Sequence, residues 1–167
     1  MSVNLTCGVP QGTLLGPMIF LALINDAMQD SPCKTWKYVD DLYIGQIVKK
    51  DEISSIQNDV ALLNVWSNEN KQKLNPTKCK TMYFNFQYEH EPLLIGNATI
   101  EIVNETKLLG LWIQANLKWD RNVKEIVSKA SRRLHILCRL RKFNLPKFDL
   151  VDVFKSYIRP SVEYAVP

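Results

Sequence analysis

Tyr38-Val39-Asp40-Asp41 is the string in this chain that asks for a chemical explanation. Two adjacent carboxylates repel each other, and apolar flanks on both sides hold them together. A divalent cation would remove the conflict. Mg²⁺ is hard, takes oxygen ligands, and is typically held by one or two carboxylates together with substrate phosphates. Metals held in that way clamp the attacking and leaving oxygens of an in-line phosphoryl transfer. The ordinary alternative is a solvated Asp-Asp turn with no function.

A second string lies some thirty residues earlier. Gly8-Val9-Pro10-Gln11-Gly12-Thr13-Leu14-Leu15-Gly16-Pro17 holds three glycines and two prolines in ten positions. Such a backbone is shaped for close approach to a ligand, or is simply a surface loop before a helix. A third feature is the distribution of charge. Residues 1–106 carry 8 Lys/Arg against 12 Asp/Glu, and residues 107–167 carry 13 against 5. A basic surface favours polyanions through phosphate contacts, although a solvated helical face reads the same way.

The elements that must position these residues are set by punctuation and period. Residues 1–14 read as an extended segment running into the Gly/Pro turn. Pro17 suits the first turn of a helix that runs through about Met28. Trp36, Tyr38, Val39, Tyr43, Ile44, Ile47 and Val48 favour strand, and Asp40-Asp41 interrupts them. Two strands joined by a tight turn at the aspartates are expected. Asp51 can cap a helix whose apolar face is Ile53, Ile56, Val60, Leu63 and Trp66, ending near Leu74. A strand at Thr81–Phe86, a hairpin at Gly96-Asn97 and a strand-like run at Lys107–Ile113 come next.

From Asp120 to Phe143 the pattern is helical and basic. Ile126, Val127, Ala130, Leu134, Leu137 and Cys138 fall within one arc of about 120°. Arg121, Lys124, Arg132, Arg139 and Lys142 fall opposite, and Arg141 lies on the apolar side. Asn144-Leu145-Pro146 ends this helix. Phe148, Val151, Phe154 and Ile158 mark another, with Pro160 as its expected stop.

Composition bounds the rest. The 167 residues are 46% hydrophobic and 23% charged, enough for one domain and its core and unlike a disordered or collagenous chain. Leu14–Ile24 is the longest stretch free of strongly polar residues, too short for a span of about 20. Met1-Ser2-Val3-Asn4 gives no signal-peptide pattern. No membrane partner is expected, and oligomeric state is not legible. Cys7, Cys33, Cys79, Cys138, His90 and His135 are scattered without zinc spacing, which suits a reducing, intracellular setting, nucleus or cytoplasm.

The Gly-Val-Pro-Gln-Gly string, a helix and then Tyr-Val-Asp-Asp resemble reverse transcriptases, nearest to the RNA-directed DNA polymerases of non-LTR, LINE- or jockey-like retrotransposons. Later strings fit the same order. Trp66 and Lys73-Leu74-Asn75-Pro76-Thr77-Lys78 look like the next palm motif. Lys107-Leu108-Leu109-Gly110-Leu111-Trp112-Ile113 looks like the primer-grip segment. Asn116-Leu117-Lys118-Trp119, Tyr157-Ile158-Arg159-Pro160 and Glu163-Tyr164-Ala165 resemble segments beyond the primer grip of these elements.

The resemblance implies an α+β fold. Residues 1–115 would be part of a polymerase palm, an antiparallel sheet with packed helices and a metal-binding hairpin. Residues 116–167 would be a helical thumb or connection. Asp40 and Asp41 would hold Mg²⁺, or Mn²⁺ in its place. Gly8, Pro10, Gln11 and Gly12 would lie against the template and the incoming nucleotide. Lys78 would help protonate the pyrophosphate leaving group. Leu109 and Gly110 would belong to the hairpin that positions the primer end, with strand packing as the competing account. Arg121, Lys124, Arg132, Arg139 and Lys142 would contact phosphates of an RNA template–DNA primer duplex, with a dNTP as substrate of the intact parent. The family's third catalytic carboxylate and its fingers lie upstream of the Gly-Val-Pro-Gln-Gly string, and only seven residues precede Gly8 here. A fragment that is inactive alone is therefore expected. A non-catalytic nucleic-acid-binding remnant and an unrelated Mg²⁺ phosphotransferase are the alternatives.

Overall fold

A computed structural model describes residues 12, 14–49, 52–84 and 91–164. Gly8, Pro10, Gln11 and Asp51 lie outside the described residues. Helices and short strands alternate in an α+β arrangement. The chain forms two compact units, one of residues 1–81 and 88–102, the other of 82–87 and 103–167.

In the first unit, α1 spans Leu15–Asp26, with Pro17 in its first turn. It ends where Ala27 turns extended and Met28 takes a left-handed φ of 60°. Strands β1 (Lys34–Tyr38) and β2 (Asp41–Gly45) form an antiparallel hairpin. Trp36 stands opposite Tyr43, an aromatic pair of the kind that stabilises a ladder. Helix α2 spans Ile56–Glu69 and starts later than the pattern at Ile53 suggests. Its Val60 packs with Ile95 and Ile100 into a small core, flanked by Leu74, Cys79 and Leu93.

Two-residue strands surround that core: β3 (Lys80–Thr81), β4 (Leu94–Ile95), β5 (Ala98–Thr99) and β6 (Glu101–Ile102). The β4–β5 hairpin turns at Gly96-Asn97, as its sequence predicts. β3 pairs parallel with β6, with Lys80 ion-paired to Glu101. Gln57 on α2 completes the ladder edge. Its side-chain amide donates to the Leu94 carbonyl at 3.0 Å and accepts from the Leu94 N–H at 2.8 Å. Instead of one antiparallel sheet, the described strands form four separate pairs, one of them parallel. Strand β3 stops at Thr81, short of the expected Thr81–Phe86 run.

In the second unit, β7 (Glu105–Leu108) and β8 (Leu111–Gln114) form a hairpin, so the strand-like run at 107–113 folds back at Leu109-Gly110, where the resemblance implies a hairpin. Helix α3 spans Asp120–Lys142. Its packed side is rotated from the expected arc. Ile126, Ala130 and Leu137 are half-buried, whereas Val127 and Leu134 are 57% and 48% exposed. The covered side also takes in Asn122, whose Oδ1 accepts the Trp112 backbone N–H at 3.2 Å. That bond draws the helix start towards β8.

Helix α4 (Lys147–Val153) continues through a π-helical turn, Phe154–Ile158, into α5 (Arg159–Val162). Pro160 therefore does not stop the helix. It cannot donate to the carbonyl four residues back, and its ring presses on that carbonyl, so the preceding turn widens. Ile158 is buried beneath this bend.

Candidate functional site

The β1–β2 hairpin turns on two residues, Val39 and Asp40, with Tyr38 paired to Asp41. The expected turn at both aspartates is thus shifted by one. Asp40 lies in the turn, and Asp41 is the first residue of β2. Val39 has a φ of +54° and Asp40 stays at negative φ. This is the pattern of a II′ turn, whose first position favours glycine. A β-branched residue there is strained, and strain of this kind concentrates at functional sites.

Asp40 and Asp41 are both exposed. Among the described residues, no lysine or arginine forms an ion pair with either. No described cation compensates their charge. Tyr43 follows two positions on, on the same strand face as Asp41. Burial, then the charge and hydrogen bonding of Asp41, raise its phenol above the ordinary value, so it stays a neutral donor at neutral pH. The donor set is hard oxygen on a rigid hairpin, which suits Mg²⁺ or Mn²⁺. Two carboxylates are fewer ligands than the roughly six oxygens such an ion takes. No group of three or more metal-ligating residues occurs among the described residues.

Other expected site residues are distributed over both units. Gly12, in an exposed turn at φ +80°, belongs to the first unit with the aspartates. Lys78 is there too, on a turn that Asn75 builds. Asn75 Oδ1 accepts the Thr77 N–H at 3.2 Å and the Thr77 hydroxyl at 2.7 Å. The Lys78 side chain is exposed and pairs with neither aspartate.

Leu109 and Gly110 belong to the second unit, with the basic helix. Lys124, Arg132, Arg139 and Lys142 are exposed and make no ion pair among the described residues. Arg121 differs from them. Its guanidinium stacks 4.7 Å from the Trp112 ring and lies 3.9 Å from Glu105. It binds the hairpin as well as facing solvent.

Two arrangements have no counterpart in the sequence reading. Glu125 is the hub of the second unit. It accepts from Lys129 at 2.7 Å, from Lys107 at 3.1 Å and from the Trp112 indole N–H. Lys129, then the indole and Lys107, hold its carboxyl down at about 2. The Glu125–Lys129 spacing of four was the available signal. In the first unit, Asp59 is fully buried on α2 and accepts the Ser31 hydroxyl at 2.5 Å. This bond ties the chain entering β1 to α2. An aspartate among the apolar positions of an amphipathic helix was the signal there.

Residues 2–113 match the family model for reverse transcriptase (RNA-dependent DNA polymerase). A second family model, alkylated DNA repair protein alkB homolog 8, N-terminal, matches residues 119–155. The chain is 21% identical over 96% of its length to a probable RNA-directed DNA polymerase from transposon X-element of Drosophila melanogaster. It spans 19% of that relative's length. No solved structure matches the chain. The first family match spans the Asp40-Asp41 hairpin, the Lys78 turn and the Leu109-Gly110 turn. Together with the transposon relative it supports a non-LTR retrotransposon reverse transcriptase fragment. The chain belongs to the reverse transcriptase (RNA-dependent DNA polymerase) family.

Proposed function

We propose that this segment carries the metal-holding hairpin and the start of the thumb of an RNA-directed DNA polymerase, which extends a DNA primer on an RNA template. The observation that carries this reading is the exposed Asp40-Asp41 pair, without an ion-pair partner among the described residues, on a strained turn within the family match. Asp40 and Asp41 would hold the divalent ions. Bound there, Mg²⁺ would lower the pKa of the primer 3′-hydroxyl and neutralise the phosphates of the nucleotide. The hairpin ladder fixes the two carboxylates with respect to each other, and the Ser31–Asp59 bond fixes the entry to β1.

Residues 1–115 would then be palm and 116–167 thumb or connection. Lys78 would deliver a proton to the departing pyrophosphate. The loop at Gly8–Gly12 would face the nascent base pair. Lys124, Arg132, Arg139 and Lys142 would track the duplex phosphates, contacts that are sequence-independent and salt-sensitive. An intracellular site of action accords with this substrate. The two aspartates are two of the three carboxylates that the family resemblance calls for, so a polypeptide of these 167 residues alone is expected to extend no primer.

The test is primer extension on an RNA template with Mg²⁺. The 167-residue chain yields no product. The same segment within a polymerase long enough to supply a third carboxylate does extend, and Asp40→Ala abolishes it. Extension that survives Asp40→Ala contradicts the reading. Duplex binding without extension in the long protein would favour a non-catalytic remnant.

A further inference from the structure

The β7–β8 turn is built from two left-handed residues, Leu109 at φ +45° and Gly110 at φ +91°. This is the I′ pattern that normally takes Asn-Gly. Leucine at the first position is strained, and its carbonyl lies outside the ladder, with no strand partner. Tyr164 supplies what the turn lacks. Its hydroxyl donates to the Leu109 carbonyl at 2.7 Å. Its ring covers Gly110 so closely that an added Cβ would meet it at 3.2 Å.

Tyr164 is itself held in place. Arg159 Nε bonds both Glu163 carboxylate oxygens, at 2.7 and 2.9 Å, across the last turn before it. Further back, the Arg133 guanidinium lies 4.5 Å from the Tyr157 ring and donates to the Tyr157 carbonyl at 2.5 Å. A continuous path therefore runs from α3 through the π-helical turn and α5 to the tip of the hairpin. Beneath that tip lies a cleft of about 330 Å³, walled by Gly110, Asn122, Glu125, Pro160, Ser161 and Tyr164.

We propose that Tyr164 is a positioning residue for the primer end: it fixes in its left-handed conformation the Leu109-Gly110 turn that the family resemblance assigns to the primer terminus. The inference rests on the polymerase reading above. Tyr164 touches no substrate and acts through the turn.

Two measurements test it together. In hydrogen exchange of the full chain, Tyr164→Phe keeps the ring and removes the donor. The amides of Leu109–Leu111 should exchange about fivefold faster, the loss expected for one neutral hydrogen bond, while Val60 in the other unit is unchanged. In the second measurement, a DNA primer ending in 4-thiothymidine is annealed to an RNA template and photo-crosslinked at low salt. Wild-type protein should crosslink within Leu108–Leu111. Tyr164→Phe should lower that yield about fivefold with duplex affinity unaltered, which a merely structural loss would not do. Unchanged exchange, or unchanged crosslinking in Tyr164→Phe, overturns the positioning role and leaves the polymerase reading standing. No crosslink to the turn in wild-type protein overturns the assignment of the turn to the primer, and the inference with it.

Discussion

Of the three hairpins among the described residues that turn on two residues, two place a bulky apolar residue in the left-handed region. At β1–β2 the residue is Val39, followed by Asp40 and Asp41, and no described side chain ion-pairs with either carboxylate. At β7–β8 it is Leu109, followed by Gly110, and Tyr164 both bonds the turn carbonyl and covers the glycine. One turn is charged and left open. The other is closed by its own unit. A strained turn left open and uncompensated is poised to be completed by a ligand. A strained turn that is already completed serves as a fixed surface. On the proposed function, the difference would separate a site for chemistry from a site for positioning.

The contrast between the turns breaks most visibly at the aspartates. Asp41→Ala should lower primer extension by the long polymerase on the order of a thousandfold, the scale of several kcal/mol of metal assistance. Tyr164→Phe, at the closed turn, should lower it only a few-fold. Steady-state extension rates decide this. The basic helix gives the next largest effect. Arg132→Glu, Arg139→Glu and Lys142→Glu together should weaken duplex binding roughly a hundredfold near 0.1 M salt and reduce the salt slope by about three. Filter-binding titrations over a salt series measure both. Arg121 is left out of that set because its stacking on Trp112 makes its loss a matter of stability as well.

Opposite substitutions at the two turns sharpen the contrast. Gly110→Ala should cost about 2 kcal/mol, since it adds both a left-handed penalty and a close contact with Tyr164. Val39→Gly should instead stabilise by up to about 1 kcal/mol, because it relieves strain that no packing requires. Chemical denaturation of the two variants gives the signs. The smallest effect is one of pH. Glu125 has a folded pKa of about 2, below its ordinary 4.5. Its contribution is therefore complete above the ordinary carboxylate range and is lost as pH falls from about 4.5 towards 2. Its partners Lys107 and Lys129 are 44% and 41% exposed, so solvent screens the pairs and the effect is modest. The difference in melting temperature between wild type and Glu125→Gln should shrink across that window.

The open hairpin was legible in its own residues and the closed one only through the family resemblance, for a physical reason. Asp-Asp between aromatic and β-branched residues breaks a strand wherever it occurs, so the first turn announces itself. Leu109-Gly110 continues an apolar run, and only the glycine hints that Lys107–Ile113 folds back. Tyr164, fifty-five positions on, makes the contact that rewards the turn, and such a long-range partner leaves no local period. The spacing of Val60, Leu63 and Trp66 gave α2, because the face is apolar at helical period and is covered, Val60 by the distant Ile95 and Ile100. The face of α3 was misplaced because polar groups, Asn122 and Glu125, hold the helix to β8 more tightly than Val127 or Leu134 do. Pro160 misled for a similar reason, since a π-helical turn accommodates a residue that ends an ideal helix. Parallel pairing of β3 with β6 rests on two residues in each strand, too few for any pattern to show.

The most direct test of the central claim asks which turn takes the metal. Mn²⁺, added to the isotopically labelled chain, broadens the NMR signals of nearby amides. Broadening is predicted at Val39–Leu42, with none at Leu109–Gly110, and it should disappear in Asp40→Asn/Asp41→Asn. Broadening centred elsewhere, or retained in that double variant, would contradict the assignment of the metal to the open turn.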